Sequence, residues 1–352
     1  MKYPRAIIPL RDYLPVWWIV LTTLPRWLYY LVLRIRDSLY ARDILKTQKL
    51  PGKVISIGNI EVGGTGKTPI CILIANYLLE KGKYPAILTR GYRSGLSHED
   101  CIVINDGQIT NLKGGKSKAL NLDEPLLQSF YLPNVPVIVG ANRFVAANSY
   151  LEKHGPSITH WILDDGFQHR QIARDMEIVL LDWELPLANR YVLPTGRLRD
   201  FPSRLKQASF IIYTRSQIDQ PPNFFYSQEI NQIESSRCKF SLRKIVSIRE
   251  KNKNFPGAIG AVLVSAIGKN DNFRVDVERF GVQVLEHIAK PDHYLFKKEE
   301  LQDVAAKGVP IITTEKDYWR QPNLYNDLPN EVFLAKLEVE LFDRRLFVSI
   351  PL

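Results

Sequence analysis

Short apolar runs alternate along this chain with glycine clusters and with segments of helical period. The pattern predicts a strand at 53–57, a helix over 69–81 that ends at Gly82, and a next strand at 86–89. This strand–loop–helix–strand order indicates a parallel sheet with crossover helices. Further buried strands are expected at the apolar runs 135–139, 160–163, 178–181 and 210–214.

A polar segment with two adjacent prolines, 216–236, separates this series from a second one. The alternating stretch 239–248 is typical of an exposed strand. After it we expect strands at 261–266, 283–286 and 309–314 and a helix near 297–306. We therefore predict an α/β fold with two lobes. Its predicted divisions are an N-terminal helical element (1–44), a first lobe (45–220), a linker with strands (221–258) and a smaller α/β lobe (259–352).

The N-terminal element is apolar and rich in aromatic residues between Tyr13 and Leu33. Its longest uncharged run, 13–25, contains Pro15 and is followed by Arg26, whereas a spanning helix needs about 20 apolar residues. Tryptophan and tyrosine favour the headgroup level of a bilayer, and flanking arginines face anionic lipid. We predict an interfacial helix, with a buried core helix and a membrane span as the alternatives.

Charge is concentrated at the same end of the chain. The net charge is +10 over 352 residues, and the first 53 residues hold ten Lys or Arg against three acidic residues. This asymmetry disfavours a uniformly basic nucleic-acid binder and points to an anionic surface as the partner of the N-terminal element. The three cysteines form no C-x-x-C pair, so neither a disulfide framework nor a structural zinc site is expected.

A glycine-rich loop stands between the first predicted strand and its helix. It comprises Gly63, Gly64, Thr65, Gly66, Lys67 and Thr68. Backbone N–H groups of such a loop surround phosphate oxygens, the lysine reaches the β- and γ-phosphates, and the hydroxyl after it suits Mg²⁺. The loop predicts nucleotide binding. The alternative is a glycine-rich turn with a solvated lysine.

A carboxylate pair, Asp164 and Asp165, follows the strand predicted at 160–163. A phosphate-binding loop needs an acid at the end of a neighbouring strand to hold its metal, and this pair predicts that site. Asp-Asp-Gly is also a turn sequence, which is the alternative. Guanine specificity is not predicted, because the string nearest to N-K-x-D, at 314–317, does not match it.

Eight ordered strings extend the picture beyond nucleotide binding. They are SIGNIEVGGTGKTP (56–69), TRGYRSG (89–95), DEP (123–125), VGANR (139–143), LDDGFQHR (163–170), LPTGRLRD (193–200), PDHY (291–294) and TTEKD (313–317). Together they resemble the tetraacyldisaccharide 4′-kinase (LpxK) family over about 54–317. LDDGFQHR after such a loop is the most specific of them.

The resemblance implies a P-loop α/β/α lobe and a second α/β lobe joined by a two-stranded linker, at the cytoplasmic face of a bacterial inner membrane. It implies transfer of the γ-phosphate of ATP, with Mg²⁺, to the 4′-hydroxyl of a tetraacyl disaccharide 1-phosphate. The implied partners are this acylated substrate and an anionic membrane surface; no nucleic acid and no obligate protein partner are expected. The alternative is a membrane-associated P-loop ATPase that acts as a switch or binding module.

The resemblance also implies residue roles. Asp123 is the expected catalytic base with His293 beside it, although the residues alone are equally typical of a helix N-terminus and a turn histidine.

Lys67 is expected on the phosphates. Thr68, Asp164 and Asp165 are expected at the metal. Arg143, Arg197, Gln168 and His169 are expected at the substrate or its phosphates, with Arg90 and Arg93 as weaker candidates. We expect the second lobe to close and bring His293 to Asp123.

Overall fold

A computed structural model describes most of the chain and resolves how its lobes are joined. The described residues are 14–91, 95–97, 100–113, 122–183, 186–187, 189–216, 230, 232–250, 253–257 and 259–352. Their strands form one continuous sheet. The predicted lobes are therefore two halves of a single sheet.

The first lobe is built around β1, which pairs in parallel with β6 and β7. Its strands are β1 (Lys53–Asn59), β2 (Pro85–Thr89), β3 (Cys101–Asn105), β4 (Gln108–Lys113), β5 (Val137–Val139), β6 (His160–Asp164), β7 (Met176–Asp182) and β8 (Phe210–Thr214). Its helices are α2 (Lys67–Glu80), α3 (Asp123–Tyr131) and α4 (Arg143–His154), with a 3-10 turn at Pro202–Gln207. Buried aliphatic side chains on both faces of the central strands explain their continuous apolar runs.

The second lobe repeats the pattern on a smaller scale. It contains the parallel strands β10 (Gly260–Ser265), β11 (Gln283–Ala289) and β12 (Ile311–Thr314). Its helices are α5 (Asn270–Arg279), α6 (Lys298–Ala305), α7 (Glu315–Arg320) and α8 (Pro322–Asn326). The linker is an antiparallel pair, β9 (Ser235–Ser247) with β13 (Val332–Leu341), and β9 also pairs with β8 of the first lobe.

Most elements predicted from apolar periodicity are present, with ends that differ by no more than four residues. Sequence reasoning missed β3, β4 and β13. Strand β4 is largely exposed and polar, so it carries little apolar signal, and β13 is buried only over its first half. The two prolines of the boundary segment 216–236 lie outside the described residues. The proposed division into 1–44, 45–220, 221–258 and 259–352 stays a prediction.

The N-terminal element is one helix, α1 (Val16–Ala41), of 26 residues with Pro25 inside it. It is long and apolar enough to cross a membrane by length and composition. Ten large apolar residues along it are exposed: Val16, Trp17, Val20, Leu21, Leu24, Trp27, Leu28, Leu31, Val32 and Ile35. This exposure disfavours the buried core helix that was the first alternative.

The other side of α1 is docked on the segment 191–201 of the first lobe. Trp18 Nε1 donates to the Thr195 carbonyl at 3.2 Å, and Arg36 is paired with the buried Asp200 at 2.8 Å. Arg26 and Arg34 lie over the rings of Tyr191 and Phe201. These directional contacts fix α1 against the lobe and leave its apolar stripe outward.

The end of the chain returns to the first lobe. Helix α9 (Arg345–Ser349) buries Leu346 among the side chains around α2, and Phe347 stacks on Tyr77 with ring centroids 4.5 Å apart. The Tyr77 hydroxyl also donates to the Phe347 carbonyl at 3.0 Å. Residues 345–349, which the sequence-based division places with the second lobe, thus pack on the first.

Candidate active site

The phosphate-binding loop connects β1 to α2 and opens at the carboxyl edge of the sheet. Gly63 and Gly66 have φ of 126° and 85°, backbone conformations that glycine adopts readily. A Cβ at Gly66 would lie 2.1 Å from the ring of Phe240 on β9. The linker strand therefore packs against the loop, and only glycine fits between them.

Lys67 begins α2 and points toward Asp165, at the end of β6. Its Nζ donates to Asn59 Oδ1 at 3.1 Å and lies 3.4 Å from Asp165 Oδ1. Thr65 and Thr68 are buried, and Thr65 Oγ1 has no hydrogen-bond partner within the described part of the chain. A glycine-rich loop with a buried hydroxyl that has no partner there and a lysine at its end is suited to triphosphate oxygens.

The two aspartates at the end of β6 have opposite electrostatic environments. Asp164 is buried, and its Oδ2 accepts a hydrogen bond from Gln128 Nε2 at 2.7 Å. Burial, together with the charge of Glu124, raises the pKa of Asp164 to about 6. Such a carboxylate gains stabilisation from a cation beside it.

Asp165 is already surrounded by cations. Arg199 donates to both of its oxygens, at 2.9 and 2.8 Å. Burial acts to raise the pKa of Asp165, but the hydrogen bonds from Arg199 and the charge of Lys67 outweigh it and hold the pKa well below its ordinary value. Asp165 is therefore ionised throughout the neutral range.

These residues fit Mg²⁺ as it is usually bound beside nucleotides. No group of three or more His, Cys, Asp or Glu residues is placed to hold a metal in the described ranges. Mg²⁺ is commonly held by one or two carboxylates with substrate phosphates and water completing its shell. Asp164, Asp165 and the Thr68 hydroxyl match that donor set, and the burial of the Asp164 carboxylate, which raises its pKa, is the observation that favours a cation here.

The remaining predicted residues occupy the same edge of the sheet. Arg143 is buried at the start of α4 and donates to the carbonyls of Asp164 and Asp165 at 2.7 and 3.3 Å. Burial lowers its pKa to about 10, which leaves it charged at neutral pH. Gln168 Nε2 donates to the Asn59 carbonyl at 2.9 Å. Arg197 is exposed and donates to the Val62 carbonyl of the loop at 3.0 Å.

His169 is neutral in this environment. Burial, with the charges of Arg143 and Arg174, lowers its pKa to about 3. Its Nε2 is buried and has no hydrogen-bond partner among the residues that the structure describes. Of the weaker candidates, Arg90 is exposed just after β2, and Arg93 lies outside the described residues.

Asp123 and His293 come together from opposite lobes. Asp123 is the first residue of α3, and its Oδ1 accepts from the Glu124 N–H at 2.9 Å. His293 lies in the turn after β11 with φ of 65°, and its Nδ1 is 3.9 Å from Asp123 Oδ2. Asp123 Oδ2 is also held by Arg320 of α7 at 3.0 Å. The expected meeting of these two residues is present.

Sequence reasoning missed several residues that complete the site. Arg199 stands two positions after Arg197 in a segment that runs antiparallel to the loop, with Leu198 bridged to Glu61. In an extended segment residues two apart share a face, so the R-x-R spacing was the available signal. Asn59 lies within the quoted string 56–69, whereas Gln128 and Arg320 carried no local signal, because each is placed by the fold alone.

Comparison with known proteins gives one consistent family. The family model described as tetraacyldisaccharide-1-P 4′-kinase matches residues 17–350. Proteins named tetraacyldisaccharide 4′-kinase from Syntrophus aciditrophicus and Pelobacter propionicus are each 32% identical, over 80% and 90% of this chain and 79% and 87% of theirs. The crystal structure of LpxK from Aquifex aeolicus in complex with ATP superposes with a TM-score of 0.72 at 29% identity, covering 93% of this chain and 96% of that one.

Proposed function

The chain belongs to the tetraacyldisaccharide-1-P 4′-kinase family, and on that premise we propose how its residues carry out the reaction. It is an ATP- and Mg²⁺-dependent kinase of lipid A biosynthesis. The reaction moves the γ-phosphate of ATP to the 4′-hydroxyl of a tetraacyl disaccharide 1-phosphate. Such a transfer depends chiefly on positioning and on neutralising charge on the phosphoryl oxygens.

The nucleotide is held by the loop Gly63–Thr68, whose N–H groups face the phosphates, with Lys67 at the β- and γ-phosphate oxygens. Mg²⁺ would offset the negative charge that develops on the phosphoryl oxygens. Thr68, Asp164 and Asp165 would hold it. Arg199 and Lys67 keep the Asp165 carboxylate fixed, and Gln128 orients that of Asp164.

Asp123 accepts the proton of the 4′-hydroxyl as that oxygen attacks the γ-phosphorus. The observation that carries this proposal is the approach of His293 Nδ1 to Asp123 Oδ2 at 3.9 Å across the two lobes. A base must lie within hydrogen-bond reach of the hydroxyl it deprotonates, and this pair brings a carboxylate of the first lobe next to an imidazole of the second. His293 Nδ1 has no hydrogen-bond partner in the described part of the chain, so it can contact the substrate or the base.

The acceptor is bound by the cationic and amide side chains at the same sheet edge. Arg197 is exposed beside the loop and offers a planar guanidinium to phosphate. Arg143 supplies a fixed charge from beneath the Asp164–Asp165 turn. Gln168 and the neutral His169 provide hydrogen bonds to the sugar, since His169 carries no charge at neutral pH.

The chain associates peripherally with the cytoplasmic leaflet of the inner membrane through α1. The outward apolar stripe and the arginines at its edges support this location. Docking of the opposite side of α1 on 191–201 favours a helix that lies on the bilayer over one that spans it. The acylated substrate resides in that same leaflet.

The decisive experiment is incubation with γ-labelled ATP and the acylated disaccharide 1-phosphate, with the labelled lipid as product. Asp123→Asn is expected to lower turnover by at least about 100-fold, the scale of general-base catalysis, while ATP binding is retained. Asp106→Asn, an exposed turn aspartate of the same lobe, is the matched control. Near-normal turnover in Asp123→Asn would refute the base role.

A membrane-stimulated ATPase without lipid transfer is the second candidate. It would hydrolyse ATP in the presence of bare vesicles and give no labelled lipid in the same assay. The family and the names of its relatives do not favour it.

A further inference from the structure

The string TTEKD (313–317) resembles the family yet has no role in the mechanism above. In the structure it ends β12 and begins α7, which lies against α3 of the other lobe. Two cations of α7 reach the acidic start of α3: Lys316 pairs with Glu124, and Arg320 pairs with Asp123. One short helix of the second lobe thus holds both acids of the DEP string in the first.

The contact made by Arg320 is the more buried of these two. Its side chain is 1% exposed, and its Nε and Nη2 both donate to Asp123 Oδ2, at 3.2 and 3.0 Å. Its third nitrogen, Nη1, donates to Asp317 Oδ1 at 2.8 Å and to the Ala266 carbonyl at 3.3 Å. The guanidinium is therefore fixed on both sides and has one defined orientation toward Asp123.

Asp317 is fixed in turn by backbone and hydroxyl groups of its own lobe. Its Oδ2 accepts from the Ala266 N–H at 3.0 Å and from Thr314 Oγ1 at 2.7 Å. The Ala266 carbonyl also accepts from the His293 N–H at 3.2 Å. The same peptide therefore anchors the Arg320 guanidinium and the turn that carries His293.

The two oxygens of Asp123 are oriented from different lobes. Oδ1 accepts the Glu124 N–H of its own helix, and Oδ2 is held by Arg320. Without Arg320 the carboxylate would keep one local hydrogen bond and lose the contact that sets Oδ2 opposite His293. Small errors of position at a reacting group cost about 100-fold in rate.

We propose that Arg320, held by Asp317, is a positioning residue that orients the Asp123 carboxylate for the acceptor hydroxyl. The proposal rests on the function proposed above, in which Asp123 is the base. Arg320 touches neither substrate nor nucleotide in this role and acts only through Asp123. It also makes the base competent only when α7 lies against α3, that is, when the lobes are together.

A double-mutant cycle tests this dependence on Asp123. Arg320→Met, measured in the lipid kinase assay with the full chain, is expected to lower kcat about 100-fold and to leave KM for ATP within about two-fold. In the Asp123→Asn background the same change is expected to lower kcat by less than about three-fold, because the group it positions is gone. Arg320→Lys should recover part of the lost kcat, since lysine keeps the positive charge but lacks the planar guanidinium that donates two hydrogen bonds to one partner.

Arg243→Met is the matched control, because Arg243 forms an exposed pair with Glu338 on the linker strands at 3.2 Å. If Arg320→Met does not fold, as judged by its melting temperature, Asp317→Asn replaces it and is expected to show the same non-additivity. Equal losses from Arg320→Met in both backgrounds would overturn the proposal, as would wild-type turnover. Failure of the base assignment itself shows separately, as near-normal turnover in Asp123→Asn alone.

Discussion

Arg199 binds both carboxylate oxygens of Asp165, at 2.8 and 2.9 Å, from the segment on which α1 is docked. The Arg199 carbonyl accepts the hydroxyl of Tyr29 on α1 at 2.9 Å, and the next residue, Asp200, pairs with Arg36 of the same helix. One extended segment therefore contacts the helix expected at the membrane and the aspartate expected at the metal. The proposed membrane-facing helix and the proposed phosphoryl-transfer site are therefore held at a fixed distance from each other.

Replacing Arg199 by Met removes the guanidinium group whose two nitrogens orient the Asp165 carboxylate. We expect kcat to fall by about 10- to 100-fold, the cost of losing a charged group that orients a reacting one, with a higher Mg²⁺ concentration at half-maximal rate. Kinetic titration with Mg²⁺ measures both effects. Arg274→Met removes an exposed arginine paired with Glu278 and should change neither. Unaltered Mg²⁺ dependence in Arg199→Met would contradict the assignment.

Gly66→Ala tests the fit between the phosphate loop and the linker strand. The new Cβ would meet the Phe240 ring at 2.1 Å and would sit at φ of 85°. We expect ATP binding to weaken by at least about ten-fold, because the loop must shift to clear Phe240, and the left-handed backbone adds about 1–2 kcal/mol of strain at that same position. Calorimetric titration with ATP measures it. Gly82→Ala has φ of 67° with nothing within 4 Å of its Cβ, so it carries the strain without the clash and should bind ATP normally.

Stability is expected to depend on the ionisation of Glu315 at the contact of α7 with α3. Burial raises the pKa of Glu315 to about 7, while the Tyr131 hydroxyl donates to it and Lys336 lies 4.0 Å away. Because the folded state holds this proton more tightly than the unfolded state, stability falls as pH rises from about 4.5 to about 7 and then levels.

Glu315→Gln removes that penalty. The variant should match the parent near pH 5 and exceed it above pH 7 by up to about 3 kcal/mol, at 1.36 kcal/mol per unit of pKa shift. Thermal and urea unfolding at pH 5 and pH 8 measure the difference. Glu338→Gln changes an exposed glutamate of β13 and should show no such pH dependence. A constant difference at both pH values would contradict the interpretation.

A charge on the outward face of α1 is expected to weaken membrane binding without altering the chemistry. Leu24 is 79% exposed at the centre of the apolar stripe. Leu24→Glu should lower association with vesicles containing anionic lipid by about ten-fold or more, because burying a charge in the bilayer interface is costly. Its kcat on detergent-dispersed substrate should stay within about two-fold. Ile109→Glu, on exposed strand β4, is the control for flotation.

Short stretches of consecutive residues were enough to predict several elements and candidate site residues of this protein before its fold was known. The runs at 53–57 and 210–214 predicted strands from their apolar side chains alone. Those apolar side chains are buried in the fold, and the prediction did not depend on knowing which elements cover them. The loop 63–68 and the pair Asp164–Asp165 predicted a nucleotide and its metal because each string carries its chemistry in consecutive residues. The charge and aromatic content of α1 likewise predicted an interfacial element.

Tertiary structure decided which distant residues meet. Arg320 stands 197 positions from Asp123, and Arg199 stands 34 from Asp165, so no local spacing could have paired them. The joining of two predicted lobes into one sheet depends on β9 and β13, whose exposed positions carry weak apolar signal. Sequence determined the chemical groups and their local elements, because these follow from neighbouring residues. The orientation of Asp123 and of the Asp164–Asp165 pair follows from packing between distant segments, which only the folded chain contains.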